Sequence, residues 1–113
     1  MAFKSDIEAI VLGLLQHESL HGYEITKRMR ELEIKVISMA ESQLYPILHK
    51  LELSGQIEAV WIPQEGKPAR KVYSITREGV RILDSKRSEW ASFSKVVSSV
   101  LASDKVAKEA HRG

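Results

Sequence analysis

The sequence predicts a mainly α-helical fold with a small β-hairpin, and three observations predict it. Apolar residues recur at spacings of three and four in three short segments before residue 55. Between Ile57 and Ile75 the pattern changes to β-branched and aromatic runs around a loop containing proline and glycine. From Arg77 to Ala102 the helical spacing returns and persists.

The first segment, Asp6 to His17, carries Ile7, Ile10, Val11, Leu14 and Leu15 at i, i+3, i+4, i+7 and i+8, an amphipathic helix with Ser5 or Asp6 as its cap. Glu18 to Gly22 reads as a turn. The second helix runs from Tyr23 to about Glu33. Ile25, Met29 and Leu32 share one face, and Lys27, Arg28 and Arg30 lie largely off it. The third begins near Ser42 and ends at Gly55, with Leu44, Ile47, Leu48 and Leu51 as its stripe. Pro46 belongs in the first turn, where its missing N–H matters least, which puts Ser42 or Gln43 at the cap. Gly55 is a good left-handed stop.

Ile57–Ile62 and Lys71–Ile75 are the two strands, joined by an eight-residue loop, PQEGKPAR. Thr76 caps the last helix. Its stripe is Val80, Leu83, Trp90, Phe93, Val97, Val100 and Leu101. At 1.5 Å per residue it is about 39 Å long. The small domain before it cannot cover such a stripe, so a second copy of the chain is the simplest partner. Three short helices followed by a hairpin form the winged helix-turn-helix plan, in which the third helix enters the major groove of DNA. The expected organisation is a DNA-binding domain over 1–76, a dimerisation helix over 77–103 and a frayed tail over 104–113.

Composition sets limits. The chain has 113 residues, enough for one domain with a real core. It has no cysteine, which excludes disulfides, thiolate metal ligands and thiol catalysis. The longest apolar run, Ala9 to Leu15, is far short of the roughly 20 residues of a membrane span. Residues 1–5 lack the marks of a secretory signal. A cytoplasmic protein is expected. The net charge is only +2, but Trp61 to Arg87 holds seven basic and three acidic residues, a local excess of +4. The charge is concentrated where the fold plan places DNA.

Several residues suit that role, and each has a structural alternative. Ser42 and Gln43, at the tip of the third helix, fit either a cap or contacts to DNA, and Gln reads adenine in a bidentate way. Tyr45 and Tyr23 fit a phosphate contact or packing between helices. His49 and Lys50 fit phosphate contacts or a solvated face. Lys67, Arg70 and Lys71 form the cationic wing, which fits DNA or an ordinary charged surface. Trp61, beside the wing, reads as structural. Trp90 fits a dimer core or a platform on which planar aromatics stack, with Phe93, Ser94 and Val97 beside it and Phe3, Ile7 and Ala9 contributed from the first helix.

Three ordered motifs resemble those of the PadR-like transcriptional regulators. His21-Gly22-Tyr23-Glu24-Ile25 is similar to the signature of the family's second helix. Leu44-Tyr45-Pro46-Ile47-Leu48-His49-Lys50-Leu51-Glu52, with Gly55 and Ile57, resembles the recognition-helix signature. Gly66, Arg70-Lys71, Tyr73, Thr76 and Gly79 resemble the wing. Together they span roughly residues 6 to 103. The resemblance implies a homodimeric repressor of a palindromic operator and no cofactor. The single C-terminal helix, with Glu89-Trp90, Val96-Val97 and Leu101, resembles the short, LmrR-like multidrug-sensing branch. That likeness implies a planar aromatic effector stacked on Trp90 at the dimer centre. Two positions depart from the pattern. Ser42-Gln43 replaces the usual Gly-Thr or Gly-Ser, and Ser94 stands where drug-sensing members often carry an acid.

An enzyme reading competes. His17-Glu18-Ser19-Leu20-His21 matches the H-E-x-x-H zinc-peptidase motif. That motif needs both histidines on one helix, and here it straddles a helix end and a turn. His49 and His111 have no evident role as a third ligand, and the chain is too small for a substrate cleft. No catalytic constellation is left. A protein-interaction module of the same fold, without DNA binding, is the other alternative.

Overall fold

The structure, a computed structural model, describes residues 4–32 and 41–102, and the side chains from residue 7 and from residue 43 onward in those two stretches. The expected tail at 104–113, Phe3 and the side chains of Ser5, Asp6 and Ser42 lie outside this description. The element order is α1 Lys4–Leu15, β1 Leu20–His21, α2 Gly22–Glu31, α3 Glu41–Leu53, β2 Ile57–Gln64, β3 Lys67–Ile75 and α4 Arg77–Ala102. The described residues form two compact units, divided after Leu83 within α4.

In the first unit, α1, α2 and α3 pack on a three-stranded antiparallel sheet of order β1-β3-β2. The core joins Val11, Leu12 and Leu15 of α1 to Ile25 and Met29 of α2 and to Leu44, Leu48 and Leu51 of α3. Leu20, Ile57 and Tyr73 close it from the sheet, and Leu83 from α4. The stripe of α3 therefore turns inward as expected, as do Ile25 and Met29 of α2. Leu12, off the predicted stripe of α1, is fully buried, while Ile10 and Leu14 are only partly so.

Several boundaries differ from the expectation. Helix α1 starts at Lys4, so Ser5 and Asp6 lie inside its first turn. The turn expected at Glu18–Gly22 contains a third strand: Leu20 pairs with Tyr73 and His21 with Val72. Leu32 is not on the buried face of α2 but at its C-terminal cap, 43% exposed. Helix α3 starts at Glu41, which moves Ser42 and Gln43 into its first turn and Pro46 into its second. Pro46 then withholds the N–H that the carbonyl of residue 42 would accept.

The joint between α3, the hairpin and α4 is tightly made. Gly55, at φ 77°, reverses the chain after α3, a conformation that favours glycine. Gln56 N donates to the Leu51 carbonyl at 2.9 Å. Thr76 N donates to the Gln56 carbonyl at 3.1 Å. Its hydroxyl donates to the Gly55 carbonyl at 2.6 Å and accepts from Gly79 N at 3.1 Å, the cap expected of this residue. Gly79 sits so close that a Cβ there would lie 2.1 Å from the Gln56 carbonyl oxygen and 2.7 Å from Ile75 Cγ1. Gly79→Ala is therefore expected to force the backbone apart and destabilise the chain by about 1–3 kcal/mol. Urea unfolding measures this, and an unchanged midpoint would contradict the close approach.

Candidate nucleic-acid interface

The hairpin is longer and tighter than its proline content suggests. In place of an eight-residue loop, the strands run on to a two-residue turn, Glu65-Gly66, with Gly66 at φ 70° and Gln64 opposite Lys67. The register slips at Pro63, so a bulge absorbs its missing N–H. Pro68 lies beyond the reach of β1, which pairs only with Val72 and Tyr73, so no strand among the described residues needs its N–H on that side. Lys67 is exposed beside the turn. Gln64, with its amide oriented so that both atoms are satisfied, accepts from Arg70 Nε at 2.8 Å and Nη2 at 3.1 Å. A neutral partner thus steadies this guanidinium, and among the described residues no acid pairs with it.

Lys71 is held differently. Its Nζ lies 3.2 Å from Glu52 Oε1 on α3, 5.3 Å from the centroid of Tyr73 and 5.9 Å from that of Trp61. Burial works against its charge, but the hydrogen bond to Glu52 and the contacts with Tyr73 outweigh it, so Lys71 keeps its proton above the ordinary lysine range. Lys50 is also paired. Its Nζ is 2.6 Å from Oε1 of Glu8, a buried carboxylate oxygen that makes no well-aligned hydrogen bond and has this ammonium as its counter-charge.

On α2, His21 and Glu24 form a reciprocal cap. Glu24 N donates to His21 Nδ1 at 3.2 Å, and His21 N donates to Glu24 Oε1 at 3.2 Å. Tyr23 stacks on the His21 ring at 6.2 Å, with planes 21° apart, and is exposed. Tyr45 leans from α3 over Gly22: a Cβ on Gly22 would lie 3.1 Å from its Cε1 and 3.2 Å from its hydroxyl oxygen. The ring is still 46% exposed, so packing and presentation to solvent coexist.

These side chains meet in one concavity of about 280 Å³, lined by His21, Gly22, Tyr23, Tyr45, Trp61, Arg70, Lys71 and Tyr73. A second, broader hollow adjoins it along α3, lined by Tyr45, Pro46, His49, Glu52, Lys71 and Tyr73. The structure therefore brings Tyr23, Tyr45, Arg70 and Lys71 together, with His49 next to them. Gln43 is exposed at the start of α3, Lys67 stands at the hairpin tip, and Lys50 is engaged with α1. Sequence reasoning missed His21, Gly22, Trp61 and Tyr73 as lining residues, and two of them carried a signal. Trp61, read as structural, is 64% exposed and pairs in register with Lys71. Its signal was parity: Ile57, Ala59 and Trp61 share a strand face that begins as core and continues beyond it. His21 was read as part of a turn, although His21 followed by Glu24 has the spacing of a capping box.

The second unit is the outer part of α4. Trp90 and Phe93 meet edge to face at 5.9 Å and 80°. Trp90 is 48% exposed, and Phe93, Ser94, Val96, Val97, Val100 and Leu101 are exposed too. Ile7, expected beside them, is buried in this structure, 5% exposed inside the core of the first unit.

The H-E-x-x-H letters do not make a zinc site. His17 follows α1 in a turn, Glu18 pairs with Arg28 at 2.6 Å, and His21 caps α2, so no single helix presents both histidines. No cluster of three metal-ligating side chains occurs among the described residues. Nor is any described helix long and apolar enough to cross a membrane.

Three helices closed by a small sheet, with a hairpin projecting beside the exposed face of the third helix, define a winged helix-turn-helix protein. Residues 11–85 match the model of the PadR-like transcriptional regulator family, and the chain belongs to that family. Its members are transcriptional regulators, not enzymes. A PadR-like regulator from Bacillus cereus superposes with a TM-score of 0.77 at 26% identity, covering 87% of this chain and 93% of that one. Bacillus subtilis PadR in complex with operator DNA superposes at 0.64 with 34% identity, over 70% of this chain but 45% of that one. By sequence, the negative transcriptional regulator PadR of Bacillus subtilis is 38% identical over 69 residues, 61% of this chain and 38% of that protein. An uncharacterized protein of Lysinibacillus sphaericus is 27% identical over 94 residues, 83% of this chain and 86% of that one.

The reciprocal cap has a measurable weight. His21→Ala removes the acceptor for Glu24 N and is expected to cost about 0.5–2 kcal/mol in urea unfolding. Asn at the same position restores most of it. Equal stability of the Ala and Asn chains would contradict the capping role.

Proposed function

We propose that this protein is a cytoplasmic, homodimeric repressor that binds a palindromic operator. The observation that carries this reading is the shared concave face, where Tyr23, Tyr45 and Arg70 converge beside the exposed side of α3. In this reading each subunit places α3 in a major groove. Ser42 and Gln43 reach base edges from its first turn. Tyr23, Tyr45 and His49 lie against the backbone, and Lys67 and Arg70 reach phosphates from the wing. The similarity to a relative solved on operator DNA supports DNA as the partner. Two-fold symmetry then sets half-sites one helical turn, or a small multiple, apart.

The second copy is held by α4, whose outer residues Trp90, Phe93, Val96, Val97, Val100 and Leu101 present a face of a kind that soluble chains usually cover. The same face takes a planar aromatic effector on Trp90, with Phe93, Ser94 and Val97 beside it. Binding there favours a dimer whose two recognition helices no longer match the operator spacing, which releases DNA by population shift.

The DNA reading is tested by fluorescence anisotropy with duplexes enriched from a random library, at several salt concentrations. Tight binding to a palindrome is expected, with a steep salt slope. Changing Lys67 and Arg70 together to Ala is expected to flatten that slope by about 0.9 for each phosphate no longer neutralised. Failure to enrich any duplex would favour the protein-interaction module. The dimer is tested by sedimentation: Val97→Asp is expected to shift the chain to monomer. Trp90→Ala is expected to abolish fluorescence quenching by a planar aromatic dye while leaving operator affinity nearly intact. Unchanged quenching would overturn the effector site.

A further inference from the structure

The four cations that sequence reasoning assigned to DNA are not equivalent. Among the described residues no acid pairs with Lys67 or Arg70, whereas Lys50 has Glu8 and Lys71 has Glu52. The Glu52–Lys71 pair has a particular location. Glu52 lies on α3, in the last turn of the helix that faces the hollow. Lys71 lies on β3, in the hairpin. Each side chain is about one-third exposed, at 34% and 32%. The ammonium is enclosed further by the rings of Trp61 and Tyr73, one from each strand of the wing. A bare carboxylate at this edge of a DNA-reading helix would repel phosphate. An ammonium free to reach phosphate would not be spent on a carboxylate and two rings.

From this geometry we infer that Lys71 and Glu52 are positioning residues, a clamp that fixes the angle between the wing and α3, and that Lys71 does not contact phosphate. The inference rests on the DNA reading above. The clamp sets where Arg70, the preceding residue on β3, and Lys67 stand relative to the helix tip at Ser42-Gln43. Its removal alters register, not the number of phosphates neutralised. Specific binding depends on register, and non-specific binding depends on charge.

The test uses the full chain with its enriched operator duplex and, in parallel, a duplex of unrelated sequence. Glu52→Gln and Lys71→Met are each expected to weaken operator binding roughly three- to thirty-fold, and the double variant no further, as for two members of one contact. The salt slope and the binding to the unrelated duplex stay as in the unaltered chain, in contrast to Arg70→Ala, which lowers both. Lys71→Arg, which keeps the pair, restores operator binding. Thermal unfolding, read alongside, moves little, because a part-exposed ion pair contributes little stability.

The sign of the Glu52→Gln effect decides. If Lys71 contacts phosphate, removing the neighbouring acid frees it and binding tightens. A Glu52→Gln chain that binds as well as or better than the unaltered one overturns the clamp, as does a Lys71→Met slope that falls like that of Arg70→Ala. No binding by the unaltered chain fails the DNA reading itself, a result distinct from either.

Discussion

The structure depends on one joint, where the Thr76 N–H and hydroxyl donate to the carbonyls of Gln56 and Gly55 and Gly79 lies close against Gln56. Four elements end or begin within it: α3 stops, β2 starts, β3 stops and α4 starts. Gly55 supplies the left-handed residue that turns α3 into β2. Thr76 then ties the far end of the hairpin back to that turn with two hydrogen bonds and caps α4 with a third. Because Gly79 has no Cβ, α4 approaches closely enough for the hairpin to be gripped at its base. The third helix, the wing and the first turns of the long helix therefore share one origin, and a displacement of any of them is felt by the others through backbone groups and the short Thr76 side chain rather than through long, adjustable side chains.

Charge is the second organising constraint. The whole chain carries a net charge of only +2, so a strongly attractive surface cannot come from bulk excess. It comes instead from which cations are left uncompensated. Acids on α1 and α3 occupy Lys50 and Lys71, and a neutral amide steadies Arg70. Elsewhere, Glu18 engages Arg28, and Glu78 on α4 engages Arg81, which lowers the glutamate's proton affinity through that hydrogen bond. Among the described residues, the positive charge of the wing that no acid pairs is thereby drawn toward its outer half, at Lys67 and Arg70.

Much of the fold was legible in the sequence, because its elements follow from period and punctuation. The apolar faces of α2 and α3, the stop at Gly55, the cap at Thr76 and the extent of α4 depend on local spacing, and local spacing is what a sequence displays. The failures were cases where tertiary pairing overrode a local signal. Pro63 and Pro68 read as a loop, yet a bulge and an absent neighbour accommodate them within strands. Leu20-His21 read as a turn, yet two residues suffice for a strand when β3 offers an open edge. The site was less legible. Residue types singled out Tyr23, Tyr45 and the wing cations as candidates, but no spacing rule reveals that Lys50 is committed to Glu8, forty-two positions earlier. Ile7 shows the converse: its apolar spacing on α1 already read as core, and the core is where it lies.

The two-residue turn at Glu65-Gly66 lies at the opposite end of the hairpin from the joint, separated from it by the whole paired length of β2 and β3. Residues added there would lengthen the hairpin without entering the core or touching the backbone contacts at Gly55 and Thr76. The same chain could thus acquire longer or shorter arms during divergence while its scaffold stayed constant. In an engineered version, that turn is the place to graft a new sequence, and the base of the hairpin is the place to leave alone.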